Sequence, residues 1–201
     1  ADFIEGLKTE KGKQIPVLFR PWHEMDGNWF WWGKPYCTTD QYKELFRFTV
    51  DYLKKERGIK DILITYSTDR NFYNEEEYLT YYPGDNYVDV LGADNYYDYT
   101  DNGDGLDAIS KKLTIVSEVA KKKNKLAAFT ETGSDKLEVD NWFTDKVGRV
   151  LKKNNLKRKI SYILFWRNRD REHFYVPYKG QKLLQDFIDF TTKERILLLK
   201  K

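Results

Sequence analysis

The stretch IPVLFRPWHEMDGNWFWWG, residues 15–33, decides the architecture. Ile15 to Phe19 is a short apolar run of strand length. It empties at once into Arg20, His23 and Glu24, with Trp22, Trp29, Trp31 and Trp32 set around them. A buried strand here delivers a carboxylic acid to a mouth paved with aromatics. Large aromatic side chains are mostly buried unless a flat, partly apolar ligand uses them. Carboxylates combined with accessible indoles match a sugar best, since its ring has apolar faces and an edge of hydroxyls.

Working outward, the same pattern recurs four times. Ile62–Tyr66, Val88–Ala93, Leu126–Thr130 and Tyr162–Trp166 are apolar runs of strand length. They are followed by Ser67, by Asp94 and Tyr96, by Glu131, and by Arg167 and Asn168. Helical spacing fills the intervals: Tyr42, Leu45, Phe46, Thr49, Val50 and Leu53, stopping near Gly58, then Leu106, Ile109, Leu113, Val116, Val119 and Ala120. Residues 140–153, with Trp142, Phe143, Val147, Val150 and Leu151, read as a helix, and Leu183, Leu184, Phe187 and Ile188 mark the last one. Phe3, Ile4 and Leu7 read as the final turns of a helix whose beginning is missing. Non-alternating strands separated by helices predict buried parallel strands in an α/β fold. Polar residues at the carboxyl ends of several strands are what a (β/α)8 TIM barrel builds, yet five βα units are present where eight are required. An open five-stranded sheet and the last five units of a barrel both fit this pattern.

Composition bounds the function. The 201 residues fit one domain with a real core. Thirty-five basic against 32 acidic residues leave +3, too balanced to argue for nucleic acid or an anionic membrane. Lys121–Lys123 and Lys157–Lys159 fall at predicted helix ends and read as solvated termini. The single cysteine, Cys37, excludes an intramolecular disulfide. No run of about 18 apolar residues predicts a membrane span, and no signal peptide begins at Ala1. Asp101–Asp107 departs from the calcium-loop spacing and reads as a turn with a helix N-cap. His173 stands alone as a surface residue, and no zinc, phosphate or dinucleotide motif is present. No metal and no cofactor is expected.

RPWHEMDGNWFWWG, residues 20–33, resembles the acid/base segment of glycoside hydrolase family 26, a family of secreted β-mannanases. That resemblance selects the barrel over the open sheet. In barrels of this clan the acid/base follows strand four and the nucleophile strand seven, and Glu24 and Glu131 keep that separation of three strands. It implies a general acid/base at Glu24 and a nucleophile at Glu131 in Phe-Thr-Glu-Thr-Gly. Glu24 should hold its proton through burial and a neighbouring anion, then act as base once Glu131 is esterified. Taken alone, Glu24 also fits a strand-end carboxylate paired with Arg20 or Lys34. The resemblance further implies that His23 contacts a sugar hydroxyl or orients the site. Trp29 would be a leaving-group-side sugar platform, and Trp166 the platform under the sugar being cleaved. Tyr96 would bond the nucleophile, with Tyr97 competing for that role, and Asp94 would contact the substrate or tune the site. Arg167 and Asn168 would reach sugars on the non-reducing side, while Trp31 and Trp32 close the barrel top.

The implied activity is a retaining endo-β-1,4-mannanase acting on mannan, glucomannan or galactomannan, or on manno-oligosaccharides. The address would be secreted, periplasmic or cell-surface. On this reading residues 1–201 are part of one catalytic domain, and the partner they lack is the N-terminal part of the same barrel. Rivals are a β-glucanase or β-1,3-xylanase of the same family and a catalytically inactive carbohydrate-binding fragment. A nucleic-acid-binding or partner-binding α/β domain is disfavoured by charge.

Overall fold

The structure is a computed structural model that describes residues 1–194 and 196–198. Five strands, β1 (Val17–Phe19), β2 (Ile62–Thr68), β3 (Val90–Asp94), β4 (Leu126–Thr132) and β5 (Ile160–Phe165), form one parallel sheet in the order β1-β2-β3-β4-β5. Sequential neighbours joined by crossover helices are the repeat of a (β/α)8 barrel, and the sheet curls as half of one. The helices are α1 (Asp2–Gly6), α2 (Thr39–Asp51), α3 (Glu75–Tyr78), α4 (Gly105–Lys122), α5 (Gly148–Lys152) and α6 (Leu184–Lys193).

The main core lies between the outer face of the sheet and α2 and α4. Tyr42, Phe46 and Val50 of α2 and Val116, Val119 and Ala120 of α4 pack with Ile64, Tyr66, Leu91 and Ala93. A second cluster, Trp142, Phe143, Val147, Phe187 and Phe190, seals β5 through Ile163 and Phe165. No helix among the described residues is long and apolar enough to cross a membrane.

The expectation of strands buried on both faces fails at four leucines. Leu18, Leu63, Leu126 and Leu164 are 51%, 44%, 49% and 38% exposed. Side chains two apart share a face of a strand. By that parity Leu18 lies with Arg20, Leu63 with Ser67, and Leu126 with Thr130, all on the inner face of the curl. These residues keep the apolar character of a barrel interior, and the described residues leave it uncovered.

Smaller departures have local causes. Ile15 is outside β1 because its N–H bonds Leu7 O, in a small antiparallel contact with residues 7–8. α1 holds only Ile4 in the core, while Phe3 is exposed. The helix expected from residue 140 starts instead as a wide π-helical turn, Trp142–Val147, because Asn141 is left-handed (φ 53°). α4 begins as expected after the Asp101–Asp104 turn, but the Asp104 side chain makes no cap bond; buried Asp98 accepts the Asp104 N–H instead. His173 is not alone, since its Nδ1 lies 3.4 Å from an Asp135 oxygen.

Candidate active site

All five strands point their carboxyl ends at one rim, and the side chains there are set by three local devices. The first is a register shift. Ala93 pairs Phe129 but Asp94 pairs Glu131, so Thr130 is an extra residue in β4. A bulge of this kind re-aims the side chains beside it. Thr130 and Glu131 therefore both reach the inner face: Thr130 Oγ1 meets Ser67 Oγ at 2.7 Å, and Glu131 meets Arg20. Gly92 is required beneath, because a Cβ there would lie 2.2 Å from Thr130 Cγ2.

The second device is backbone strain at the acid. Trp22 (φ 53°) and Glu24 (φ 56°) are both left-handed, which costs of order 1–3 kcal/mol each for residues with a Cβ. The surroundings hold them there. Tyr42 Oη donates to Trp22 O, Trp22 Nε1 donates to Thr49, Trp32 Nε1 donates to His23 O, and Glu24 N donates to Ser67 O. Asp26 clamps the same loop to β2 by accepting the N–H groups of Asp69 and Asn71.

The third device is Arg20, which completes a charged cluster. Its guanidinium donates to Asp94 Oδ2 at 2.7 Å and to Glu131 Oε1. Asp94 is fully buried, and its other oxygen accepts from Ser67 Oγ at 2.9 Å. Tyr96 Oη donates to Glu131 Oε2 at 2.8 Å. A guanidinium and a phenol on one carboxylate favour its ionised form.

Glu24 sits in the opposite setting. Burial, then the charge of Asp94, pushes its carboxyl up to about 7, and the indole N–H of Trp29 on Oε2 at 2.7 Å only partly offsets this. The neighbouring anions that raise it are Asp94 first and then Asp69. The alternative pairing of Glu24 with Arg20 or Lys34 does not form. His23 is held neutral, since burial and Arg20 lower it to about 4, and its Nε2 lies 4.0 Å from Glu131 Oε1.

The structure brings Glu24, Glu131, His23, Trp29, Asp94 and Tyr96 to one end of the sheet. Half-exposed Trp29 lies flat over Gly27, where a Cβ would be 2.4 Å from the ring. Asp94, expected to contact substrate or tune the site, has no surface for a ligand and acts through Arg20 and Glu24. Tyr97 turns away under Arg70, 4.1 Å from its ring centroid, which leaves Tyr96 alone on Glu131. Trp32 stacks on Phe30 at 4.2 Å, while Trp31 stays exposed with its ring edge-on to Trp22. Trp166 shares with Glu131 the wall of a cavity of about 720 Å3, and Arg167 lies 5.9 Å from its ring centroid. Asn168, exposed, donates to Val176 O and accepts the Tyr175 N–H, anchoring the loop after β5.

Sequence reasoning missed Arg20 as the shared counterion and Tyr175, which packs edge-on to Tyr96 at 6.1 Å. Potential ligand atoms of His23, Glu24 and Asp94 lie within 4.8 Å of one another. Both Asp94 oxygens are committed to Arg20 and Ser67, and a guanidinium beside the set opposes a cation, so this trio does not suit a metal. What remains is an acid that holds its proton to about neutrality, next to a carboxylate kept anionic by two donors.

Known proteins are similar to this chain in sequence and in fold. The model of glycosyl hydrolase family 26 matches residues 1–165. A mannan endo-1,4-beta-mannosidase of Bifidobacterium adolescentis is 33% identical over 96% of this chain and 21% of its own length. The solved GH26 beta-mannanase of Bacteroides ovatus superposes with a TM-score of 0.89 at 42% identity, over 98% of this chain and 56% of that one. GH26C of a Muricauda species gives 0.89 at 36% identity, over 98% and 55%. The chain thus spans about half the length of these solved structures and about a fifth of the curated relative.

Proposed function

The chain belongs to glycosyl hydrolase family 26, and from that premise we propose that residues 1–201 carry the catalytic pair of a retaining endo-β-1,4-mannanase acting on mannan, glucomannan or galactomannan. The observation that carries the reading is the contrast between Glu24, protonated up to about pH 7, and Glu131, gripped by Arg20 and Tyr96. Glycoside cleavage with retention needs such a pair, one carboxylic acid to protonate the leaving oxygen and one carboxylate to take the anomeric carbon.

In this mechanism Glu131 attacks while Glu24 gives its proton to the departing sugar. The resulting ester no longer neutralises Arg20, whose charge already pulls the Glu24 carboxyl downward. Glu24 then ionises more readily and draws a proton from the incoming water. His23, neutral, offers a donor and an acceptor to sugar hydroxyls. Trp29 serves the leaving-group side and Trp166 the sugar being cleaved, with Arg167 at its rim. The polymeric substrate cannot cross a membrane, which supports an address outside the cytoplasm. The inner sheet face, with its exposed leucines, supports completion by the N-terminal part of the barrel.

The test is hydrolysis of linear mannan and of β-glucan, with products identified. Manno-oligosaccharides from the wild-type chain and a loss of at least a thousandfold in Glu131→Gln are expected. Preferential cleavage of β-glucan would favour a glucanase of the same family. Mannan binding without cleavage would favour the inactive binding fragment, and wild-type turnover by Glu131→Gln would remove the nucleophile from its role.

A further inference from the structure

Among the described residues, the buried charged ones are Asp94, Asp98, Lys112 and Glu131. Asp94 and Glu131 belong to the cluster around Arg20, whereas Asp98 and Lys112 take no part in it. They meet at the turn after β3, where the short 3-10 segment Tyr97–Tyr99 follows Tyr96. Asp98 Oδ2 accepts from Lys112 Nζ and from Asn95 Nδ2, each at 2.8 Å. Asp98 Oδ1 accepts the Asp104 N–H at 3.3 Å and has an Arg70 nitrogen 3.8 Å away. In return the Asp98 N–H donates to Asn95 Oδ1 at 3.1 Å. The chain wraps this residue so closely that a Cβ at Gly103 would lie 2.4 Å from Asp98 Cα.

The same turn grips the strand that carries Glu131. Asn95 N donates to Glu131 O at 3.0 Å, and Thr132 Oγ1 donates to Asn95 O at 3.0 Å. Tyr96 Oη donates to Glu131 Oε2 at 2.8 Å. Asn95, which Asp98 clasps, makes two of these bonds, and its neighbour makes the third. A buried ion pair adds little stability over apolar residues of the same size, and removing one partner alone is what costs. What the pair supplies here is direction. A carboxylate accepts on both oxygens, and the side chains around Asp98 come from the loop after β2 (Arg70), from its own turn (Asn95) and from α4 (Lys112).

We infer that Asp98, held by Lys112, is a positioning residue that sets the Tyr96 hydroxyl against the carboxylate of Glu131. Asp98 is too deeply buried to meet a substrate and makes no bond to Glu131 itself. It fixes Asn95, Asn95 fixes the backbone beside Glu131, and the phenol between Asn95 and Asp98 keeps its bond to Oε2. Precision of this kind matters in a reacting site, where a displacement of about 1 Å can cost about a hundredfold in rate. This inference rests on the mannanase reading, in which Glu131 is the nucleophile.

The experiment is carbon-13 NMR of the Glu131 carboxyl across pH, with mannan hydrolysis measured on the same forms of the chain. The forms are wild type, Asp98→Leu paired with Lys112→Met, Asn95→Ala, and each of these combined with Tyr96→Phe. The paired substitution removes both buried charges at once. Asn95→Ala keeps the ion pair and cuts only its link to the turn, so it decides the question should the paired form not fold. Both should move the Glu131 titration upward, because a donor that favours the ionised form is loosened. Both should also lower kcat about tenfold with KM nearly unchanged. In the Tyr96→Phe background neither should move the titration further. A lowered melting temperature with an unmoved Glu131 titration makes Asp98 a packing residue and overturns the inference. A further movement in the Tyr96→Phe background also overturns it, because Asp98 then reaches Glu131 by another route. Both of those outcomes leave the mannanase reading standing. Absence of mannan hydrolysis by the wild-type chain overturns that reading and this inference with it.

Discussion

Two glutamates of one chemical kind end two strands of one sheet, and almost everything around them differs. Glu131 follows a bulge in β4, is nearly buried, and receives a guanidinium and a phenol. Glu24 follows β1 on a left-handed residue, is half-exposed, and receives a single indole N–H while Asp94 repels its charge. The role of a carboxyl group is therefore set by who donates to it and who opposes it, not by its position at a strand end. Arg20 is the element that keeps the two apart, since it is spent on Asp94 and Glu131 and has little left for Glu24.

The largest break in this comparison comes from Arg20→Met. It leaves Asp94 and Glu131 facing each other with no counterion, and removing one member of a buried charged set costs about 3–5 kcal/mol. Urea denaturation at pH 7 should show a loss of that size, shrinking as pH falls and the carboxylates take up protons. A loss below about 1 kcal/mol at pH 7 would mean that Arg20 is not their common partner.

Glu24→Gln probes the other carboxyl, with a smaller effect of opposite sign. The folded state holds the Glu24 proton to about pH 7, whereas the reference value is 4.5. Ionising Glu24 therefore works against the fold: the cost is absent below about 4.5 and fully present above about 7. The amide cannot ionise, so the variant should match wild type at pH 4 and exceed it at pH 8. The gain is about 1–2 kcal/mol after allowing for the water that reaches a half-buried group. Asp69, also pushed to about 7 by burial and Asp26, keeps part of the wild-type pH slope in the variant. Equal stabilities at pH 8 would show that Glu24 is an ordinary ionised surface acid.

How much of this was legible in the sequence follows from what each feature depends on. The strand ends were legible because apolar runs stop abruptly at Arg20, Asp94, Glu131 and Arg167, and that contrast is local. The partners of Arg20 were not, because Glu24 is near in sequence while Asp94 and Glu131 lie 74 and 111 residues away. The bulge at Thr130 is a matter of register between two strands, and no residue type announces it. Tyr96 prevailed over Tyr97 through the tight turn after β3, which turns Tyr97 toward Arg70. The exposed leucines look like any buried strand in sequence, since an apolar run cannot say which segment covers it.

The smallest effect isolates the one hydrogen bond that Glu24 does receive. Trp29→Phe keeps an aromatic ring over Gly27 and removes only the N–H that donates to Glu24 Oε2. That donor favours the ionised form, so its loss should move the Glu24 titration upward, and with it the basic limb of the mannan hydrolysis proposed above. Carbon-13 NMR of the Glu24 carboxyl across pH 5 to 9 reads the same shift without turnover. The surroundings of Glu131 contain no contact with Trp29, so the acidic limb should stay in place. A downward movement of the Glu24 titration would mean that the indole acts on this acid through burial and not through its hydrogen bond. Movement of both limbs together would mean that the two carboxyls titrate as one unit, with Arg20 failing to separate them.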